Sequence, residues 1–110
     1  MDEPVEVLHE AVQGDDRTGA FYVPFVEGPH PGPVDGRRAA EMTYSYAGSS
    51  TIVIDHTEVS DLLRGRGAGR QLVYAAVAFA RASKLKIRPR CSFARAVFDK
   101  EPELRDVLVT

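Results

Sequence analysis

The sequence predicts a small α/β domain spanning residues 1–110, with a mixed sheet of about five strands and two to three helices. From Arg38 to Ala47 apolar or small side chains alternate with polar ones, a period of two that is typical of a strand. A β-branched run opens the next strand, and apolar side chains then recur at helical spacing from Gln71 to about Ser83. The resulting order of strand, helix and strand predicts a sheet that begins antiparallel and ends parallel.

Two further strands and a loop are predicted in the first third of the chain. Uneven alternation predicts the first strand over Val5–Val12, and an aromatic, β-branched segment predicts the second over Gly19–Val26. Pro24 removes a backbone donor from the second strand, so we expect an edge position or a bulge there. Prolines and glycines between residues 27 and 36 predict a loop, either a tolerated insertion or a lid over a substrate.

The third strand, Arg38–Ala47, and the fourth, Thr51–Val59, are joined by a short Gly-Ser-Ser turn, which predicts a hairpin. In a regular strand successive side chains point to opposite faces. One face of the fourth strand is therefore expected to carry Ile52, Ile54, His56 and Glu58. The other face is expected to carry Val53, Asp55, Thr57 and Val59.

The second half of the chain predicts two helices and a strand between them. The first helix is expected to begin near Arg66–Ala68, with an apolar stripe made of Leu72, Val73, Ala76, Val77 and Ala80. A basic strand, Leu85–Pro89, follows and is expected to lie parallel to the fourth strand. The second helix is predicted over Ser92–Lys100, capped by Ser92 and with Phe93, Val97 and Phe98 towards the core. A last helical turn or two is expected over Glu103–Val109.

A turn rich in glycine and arginine, Arg64–Arg70, joins the fourth strand to the first helix. The first N–H groups of a helix lack an intrahelical acceptor and are usually capped by Ser, Thr, Asp or Asn, none of which occurs in this turn. Glycines let a ligand approach the backbone, the helix dipole favours an anion, and arginines suit phosphate. The turn therefore predicts a diphosphate site; the alternative is a tight turn whose arginines are only solvated.

The same turn excludes two other phosphate-binding motifs. The Walker A motif requires Lys and then Ser or Thr after its last glycine, whereas Arg70 and Gln71 follow Gly69. The dinucleotide fingerprint requires a different glycine spacing and an acidic residue about 20 positions later. No acidic residue occurs between Arg64 and Phe98. A nucleoside triphosphate or NAD is therefore not the expected ligand.

Three motifs together carry a family resemblance. The segment R-G-R-G-A-G at residues 64–69 resembles the acetyl-CoA signature Q/R-x-x-G-x-G/A of the GNAT acetyltransferase superfamily. With H-T-E-V at 56–59 and P-x-C-x-F at 89–93, the chain is similar to a branch of small single-domain GNAT-like proteins, sometimes called YjdJ-type. The resemblance covers residues 38–108 well. It implies a GNAT-like fold, acetyl-CoA as the cofactor and acetyl transfer to an amine.

The resemblance also implies which residues bind the cofactor. In GNAT enzymes the strand before the glycine turn separates from its parallel neighbour, and the pantetheine arm pairs with the strand backbone in the space between them. Carried over to this sequence, the backbone of Glu58 and Val59 would contact the pantetheine arm. The diphosphate would be held by Arg64, Gly65, Arg66, Gly67, Ala68, Gly69 and Arg70.

Three side chains are candidates for catalysis. Glu58 is a candidate general base, a role that carboxylates on this strand have in several GNAT enzymes; the alternative is a structural hydrogen bond or ion pair. His56 shares a face with Glu58, roughly 7 Å away along the strand, and is a second candidate or a near-core side chain. Cys91 precedes a helix N-terminus, which favours the thiolate form. It is therefore a candidate nucleophile, or a small side chain packed near the cofactor.

The distribution of charge supports an anionic ligand for the second half of the chain. The net charge is −2, yet nine Lys or Arg and no acidic residue occur from Arg64 to Arg95. Before Arg64 there are twelve acidic residues and three bases. A polyphosphate cofactor fits this asymmetry. The bases are spread out and lack a clustered aromatic platform, which argues against nucleic acid.

The remaining composition narrows the class of protein. One cysteine excludes an internal disulfide, three separated histidines predict no metal site, and no apolar run reaches the length of a membrane span. The N-terminus has no apolar leader, so we expect a cytoplasmic protein. The predicted function is an acetyl-CoA-binding N-acetyltransferase with an unidentified amine or protein acceptor. The alternatives are a non-catalytic acyl-CoA-binding or protein-interaction module and, third, a binder of RNA or nucleotides.

Overall fold

A computed structural model describes residues 6–11, 17–24, 38–60, 63 and 67–109. Within these residues five strands form one sheet in the order β1-β2-β3-β4-β5. The strands are β1 (Leu8–Glu10), β2 (Thr18–Pro24), β3 (Arg38–Ala47), β4 (Thr51–Val59) and β5 (Lys86–Pro89). The helices are α1 (Ala68–Ser83), α2 (Ser92–Lys100) and a terminal 3-10 helix, Pro102–Val107.

The sheet changes from antiparallel to parallel at its last strand. β1 to β4 pair antiparallel in sequence order, and β5 pairs parallel with β4 after the crossover through α1. Beyond β5, Leu108 forms a parallel bridge with Ile87, and the Val109 N–H donates to the Ile87 carbonyl at 2.9 Å. The predicted α/β class, with a mixed sheet of five strands, is confirmed.

The core lies between one face of the sheet and the helices. All five residues of the predicted α1 stripe are buried, and they form one apolar cluster with side chains of the sheet and of α2. We call this face of the sheet the helical face; it carries Met42, Tyr44, Ile52 and Ile54. The opposite face, which we call the open face, carries Thr43, Ser45, His56 and Glu58. Burial of apolar surface against the helical face thus holds α1 and α2 on one side of the sheet.

β4 contains one extra residue. Tyr44 of β3 pairs with Ile54, but the next residue back along β3, Thr43, pairs with His56. Asp55 therefore has no partner on β3, and the strand forms a β-bulge at this position. The Asp55 carboxylate accepts a hydrogen bond from the Ser45 hydroxyl at 2.9 Å.

The bulge changes which side chains share a face. Thr57 pairs with Met42 and so lies on the helical face. His56 and Glu58 lie on the open face, and the prediction that they share a face with Ile52 and Ile54 is wrong. The regular alternation of a strand fails here because a bulge shifts every later side chain by one position. That His56 and Glu58 share a face with each other is confirmed.

Pro24 marks a second irregularity in the sheet. The pairing of β2 with β3 shifts between Val23 and Pro24, which confirms the predicted bulge. β2 lies between β1 and β3 over Ala20–Tyr22, but β1 as described does not extend to Pro24, so the edge position expected at Pro24 also holds.

The start of α2 differs from the prediction in two residues. Cys91, not Ser92, is the N-cap residue, and its Sγ accepts a hydrogen bond from the Ala94 N–H at 3.4 Å. Phe93 is 42% exposed and does not point into the core, whereas Val97 and Phe98 are buried as predicted. The helical spacing of Phe93 and Val97 places both near the core, but the start of the helix directs Phe93 towards α1.

An aromatic cluster ties the first strand to the rest of the sheet. His9 of β1 stacks on Phe21 with ring centroids 4.2 Å apart and contacts Phe79 of α1 edge-on at 4.6 Å. The Tyr44 hydroxyl lies 2.7 Å from His9 Nε2. Burial, with a contribution from nearby Tyr46, raises the pKa of Tyr44 to about 12. Tyr44 is therefore a neutral hydrogen-bonding group at neutral pH.

Several predictions fall on parts of the chain outside the described residues. They are the two ends of the first predicted strand, Val5 and Val12, the end of the second, Phe25 and Val26, and the loop at 27–36. Among the helices that are described, none combines the length and the apolar character needed to cross a membrane.

Candidate functional site

α1 begins without a side-chain cap. Its N-cap residue, Gly67, adopts the left-handed conformation with φ 74° and ψ 18°, and no side chain makes a capping hydrogen bond. The Gln71 N–H donates to the Gly67 carbonyl at 3.0 Å. The earlier amides of Ala68 and Gly69 have no intrahelical acceptor, and the positive end of the helix dipole makes this end of α1 suited to an anion. Arg64, Gly65 and Arg66 of the predicted turn lie outside the described residues.

A cavity of about 310 Å³ opens beside this end of α1. Its walls come from the end of β4, the start of α1 and one side of α2, and they include Val59, Leu63, Gly69, Arg70, Phe93 and Lys100. Ligand pockets range over roughly 300–1,000 Å³, so this cavity is small. Its mainly apolar walls and its helix end suit a narrow apolar chain that carries an anionic group.

Phe93 of α2 forms a wall of the cavity directly against α1. A Cβ on Gly69 would lie 2.5 Å from Phe93 Cζ and 2.8 Å from Phe93 Cε2. The absence of a side chain at Gly69 therefore lets the aromatic ring approach the first turn of α1. The ring remains 42% exposed, and it presents apolar surface to whatever enters the cavity.

Two basic side chains and one acidic group lie near the mouth of the cavity. Arg70 and Lys100 line it. Arg70 Nε lies 3.7 Å from Glu101 Oε2, and the Tyr74 hydroxyl donates to Glu101 Oε1 at 2.5 Å. Partial burial and the hydrogen bond with Glu101 raise the pKa of Tyr74. Glu101 thus holds Arg70 from the side of α2.

β4 and β5 separate about halfway along β4. Their parallel pairing runs from Thr51 and Lys86 to Ile54 and Pro89. The Arg90 N–H then donates to the Ile54 carbonyl at 3.0 Å. Within the described residues, β4 continues to Val59 with no partner strand on the β5 side. We call the space between the second half of β4 and the end of β5 the gap. It begins at the Asp55 bulge, because bulges bend the strand that contains them.

Thr57 and Cys91 face each other across the gap. Thr57 Oγ1 and Cys91 Sγ are 3.4 Å apart, and either atom can be the donor. Both side chains are half-buried and lie on the helical face, next to the start of α2. Val59, two residues beyond Thr57 on the same face, lines the cavity. The Thr57–Cys91 contact therefore lies on the same side of β4 as the cavity, two residues along the strand from its wall.

His56 and Glu58 lie on the opposite side of the same strand. His56 Nε2 is 3.0 Å from Glu58 Oε1, and the two side chains are 60% and 73% exposed. Among the three predicted catalytic side chains, His56 and Glu58 are thus brought together, whereas Cys91 lies on the helical face of the gap.

The predicted cofactor residues do not all lie together. Glu58 lies on the open face, whereas the other predicted residues that the structure describes line the cavity. Val59, Gly67, Ala68, Gly69 and Arg70 line one cavity. Three neighbours of this cavity were not predicted as site residues: Thr57, Phe93 and Lys100. Thr57 was missed because the bulge is not visible in the pattern, and Phe93 because it was assigned to the core.

The described residues contain no group of three or more His, Cys, Asp and Glu side chains that could hold a metal ion.

Comparison with known proteins decides the family. A sequence model described as GCN5-related N-acetyl-transferase matches residues 33–107, more than half of the chain. This chain belongs to the GCN5-related N-acetyltransferase family. The family resemblance inferred from the glycine turn is thereby confirmed.

Relatives and solved structures agree with this assignment. Protein NATD1 of Xenopus tropicalis is 35% identical over 63 residues, which are 57% of this chain and 58% of NATD1. The chain thus spans somewhat over half the length of the curated relatives it matches. A GCN5-like putative N-acetyltransferase from Staphylococcus aureus, solved by NMR, is 36% identical with a TM-score of 0.66. That match covers 96% of this chain and 88% of the other.

A more distant solved structure has the same fold. An aminoglycoside N-acetyltransferase in complex with the bisubstrate analogue CoA-S-monomethyl-acetylneamine has a TM-score of 0.51 at 16% identity. The match covers 77% of the present chain and 60% of the aminoglycoside N-acetyltransferase. At this identity the likeness establishes the GNAT fold alone.

Proposed function

We propose that this member of the family binds acetyl-CoA and transfers the acetyl group to an amine. The observation that carries the proposal is the gap between β4 and β5, because it leaves the β4 backbone without a partner strand beside the cavity at the uncapped end of α1 and holds Thr57 and Cys91. The family membership supports acetyl transfer as the type of reaction.

The residues present fit the cofactor that the family implies. The amides of Gly67, Ala68 and Gly69, with Arg70 beside them, would hold the diphosphate. From the sequence, Arg64, Gly65 and Arg66, which lie outside the described residues, are proposed to belong to the same diphosphate site. The backbone of Glu58 and Val59 is available to the pantetheine arm because β4 has no partner there on the β5 side. When bound, acetyl-CoA supplies an acetyl group activated as a thioester.

Glu58 is the proposed general base. It lies on the open face, so an amine approaching the gap from that face meets its carboxylate. The amine nitrogen forms a C–N bond with the acetyl carbon as the C–S bond breaks, and the sulfur leaves as a thiolate. The proton lost by the amine passes to Glu58, and the thiolate takes up a proton, so the products are an amide and CoA. His56, 3.0 Å from the carboxylate, orients it.

Cys91 has two roles open to it in this reaction. Its Sγ lies in the gap, where it would either accept the acetyl group and pass it to the amine or pack against the thioester. Incubation with labelled acetyl-CoA followed by intact-mass measurement distinguishes them. A covalent route requires an adduct one acetyl group heavier that is lost in Cys91→Ala together with activity. Full activity of Cys91→Ala without an adduct leaves the packing role.

Calorimetry with acetyl-CoA, CoA and ATP tests the proposed cofactor. We expect acetyl-CoA and CoA to bind at micromolar concentrations and ATP much more weakly, because the apolar wall and the gap fit a pantetheine arm. Gly67→Val is expected to weaken CoA binding at least about tenfold, since it distorts the backbone at the helix end. Unchanged CoA affinity in a folded Gly67→Val protein, or ATP binding as tight as CoA binding, contradicts the proposal.

The exposure of Glu58, 73%, favours testing a second candidate function, a non-catalytic acyl-CoA-binding or protein-interaction module. An exposed carboxylate beside an imidazole can equally form a surface ion pair with no catalytic role. Acceptor-dependent release of CoA, followed by mass spectrometry over a broad panel of amines and peptides, separates the two. Tight CoA binding without release of CoA for any acceptor identifies the module.

Binding of oligonucleotides with a steep salt dependence would instead support the third candidate, a nucleic-acid binder.

A further inference from the structure

The two sides of the gap carry opposite charges on the open face. Thr57 and Cys91 meet across the gap on the helical face. Their chain neighbours, Glu58 and Arg90, therefore flank the same gap on the other side of the sheet, because alternate residues of an extended segment point to opposite faces. Glu58 lies at its β4 side and Arg90 at its β5 side.

A second basic residue extends the positive charge on the β5 side of the gap. Arg88 of β5 is exposed and pairs with Val53, so it lies two residues before Arg90 on the open face. On β4, the Asp55 carboxylate accepts from the Ser45 hydroxyl of β3 and so lies on the side of β4 away from the gap. On the open face the gap is thus bordered by the Glu58 carboxylate of β4, by Arg88 of β5 and by Arg90 just after it.

These opposite charges do not neutralise each other. Glu58 is paired with His56, and Asp55 accepts a hydrogen bond from Ser45. In the described part of the chain, no acidic side chain forms an ion pair with Arg88 or Arg90. Two adjacent guanidinium groups without an acidic partner remain available to bind a carboxylate or phosphate.

We propose that the acceptor carries an anionic group, a carboxylate or a phosphate, close to the amine that is acetylated. Arg88 and Arg90 bind the anionic group, and the amine lies beside Glu58 at the gap. A simple amine or a polyamine would interact only with Glu58 on the β4 side of the gap. Charge complementarity therefore favours an acceptor whose anionic group also binds the arginines on the β5 side. The inference rests on the proposed acetyl transfer and assigns its substrate class.

The decisive experiment compares matched acceptors with and without the anionic group. The carboxylate pairs are alanine with ethylamine, phenylalanine with phenethylamine, and lysine with cadaverine; the phosphate pair is phosphoethanolamine with ethanolamine. We expect the kcat/KM of at least one anionic member to exceed that of its partner amine about tenfold or more. The better of the carboxylate and phosphate pairs identifies the anionic group.

Two arginine variants test whether the preference for an anionic acceptor depends on Arg88 and Arg90. Arg88→Gln and Arg90→Gln are expected to raise KM for the anionic acceptor about tenfold and to leave the matched amine unchanged. Lys84→Asn, at the far end of α1, is the control for loss of one positive charge, and Asn tolerates the left-handed conformation there. NMR titration of the CoA complex with the same acceptor should shift the amides of Glu58 and Arg90 in the wild type and not in the double arginine variant.

The outcomes separate this inference from the proposed function. If bare amines react as well as their anionic partners, or if the arginine variants leave the ratio unchanged, the acceptor class is wrong while acetyl transfer stands. If no acceptor releases CoA, both the acceptor class and the proposed transfer are overturned.

Discussion

The ring of Phe93 on α2 covers Gly69 on α1, and a Cβ at position 69 would lie 2.5 Å from Phe93 Cζ. Gly69 therefore has a neighbour within the protein as well as the proposed ligand. A larger residue at position 69 meets the aromatic ring before it meets anything in the cavity.

This contact predicts a strong coupling between the two positions. Gly69→Ala is expected to lower the free energy of unfolding by about 1 kcal/mol, because the ring must move aside. In a Phe93→Ala background the same change should be neutral or stabilising by up to about 1 kcal/mol, since alanine favours the helix. Urea unfolding of the four proteins gives the coupling energy, and additive effects would contradict the contact.

Cys91 is expected to stabilise α2 as its N-cap. Its Sγ is a weak acceptor for the Ala94 N–H at 3.4 Å. Cys91→Ser should equal or exceed the stability of the wild type, because a hydroxyl is a better cap, whereas Cys91→Ala should lose about 0.5–1 kcal/mol. Thermal unfolding measures both. A lower melting temperature for the serine variant than for the alanine variant would show that the Thr57 contact, and not the cap, determines the stability.

His9 is expected to make the stability depend on pH. Burial lowers its pKa from 6.5, so the folded protein favours the neutral ring. Between the folded pKa and 6.5 the unfolded chain binds more protons, and the free energy of unfolding therefore rises with pH. The stabilisation is complete above 6.5 and is lost as the pH falls through the folded pKa.

His9→Gln tests this dependence, because glutamine keeps an acceptor for the Tyr44 hydroxyl and does not titrate. Urea unfolding at pH 7.5 and pH 5 should show a larger loss of stability for the wild type than for the variant. Equal losses would mean that other groups, such as carboxylates, account for the whole pH dependence.

Lys100 is expected to attract the phosphates of CoA at the mouth of the cavity. Lys100→Gln should weaken CoA binding about three- to tenfold, with a reduced salt dependence. Calorimetry with pantetheine, which lacks phosphate, supplies the control and should show no change. An equal loss of affinity for pantetheine would show that Lys100 acts through the shape of the cavity and not through its charge.

The sequence predicted regular elements well. The period of two over Arg38–Ala47 and the apolar stripe of α1 correspond to observed elements, because burial of one face imposes those periods. The glycine turn also marked the end of α1 that lines the cavity. Local patterns determine such features, so they are visible in one sequence.

Other features depend on contacts between distant residues. His9 was considered only as one of three separated histidines without a metal site, yet it meets Tyr44, which lies 35 residues away. Phe93 was assigned to the core because its spacing suits one, but its ring lies over Gly69. Thr57 was placed on the wrong face because nothing in the run from Ile52 to Glu58 reveals which residue is left unpaired.

The single unpaired residue in β4 has a consequence for any change in the length of that strand. Removing Asp55 would leave His56 opposite Thr43 and Thr57 opposite Met42, so each later side chain would keep its present side. The strand would lose its bend and could run on beside β5, and the sheet would close where acetyl transfer is proposed to occur. One amino acid of extra backbone thus separates a continuous sheet from one with an opening through it.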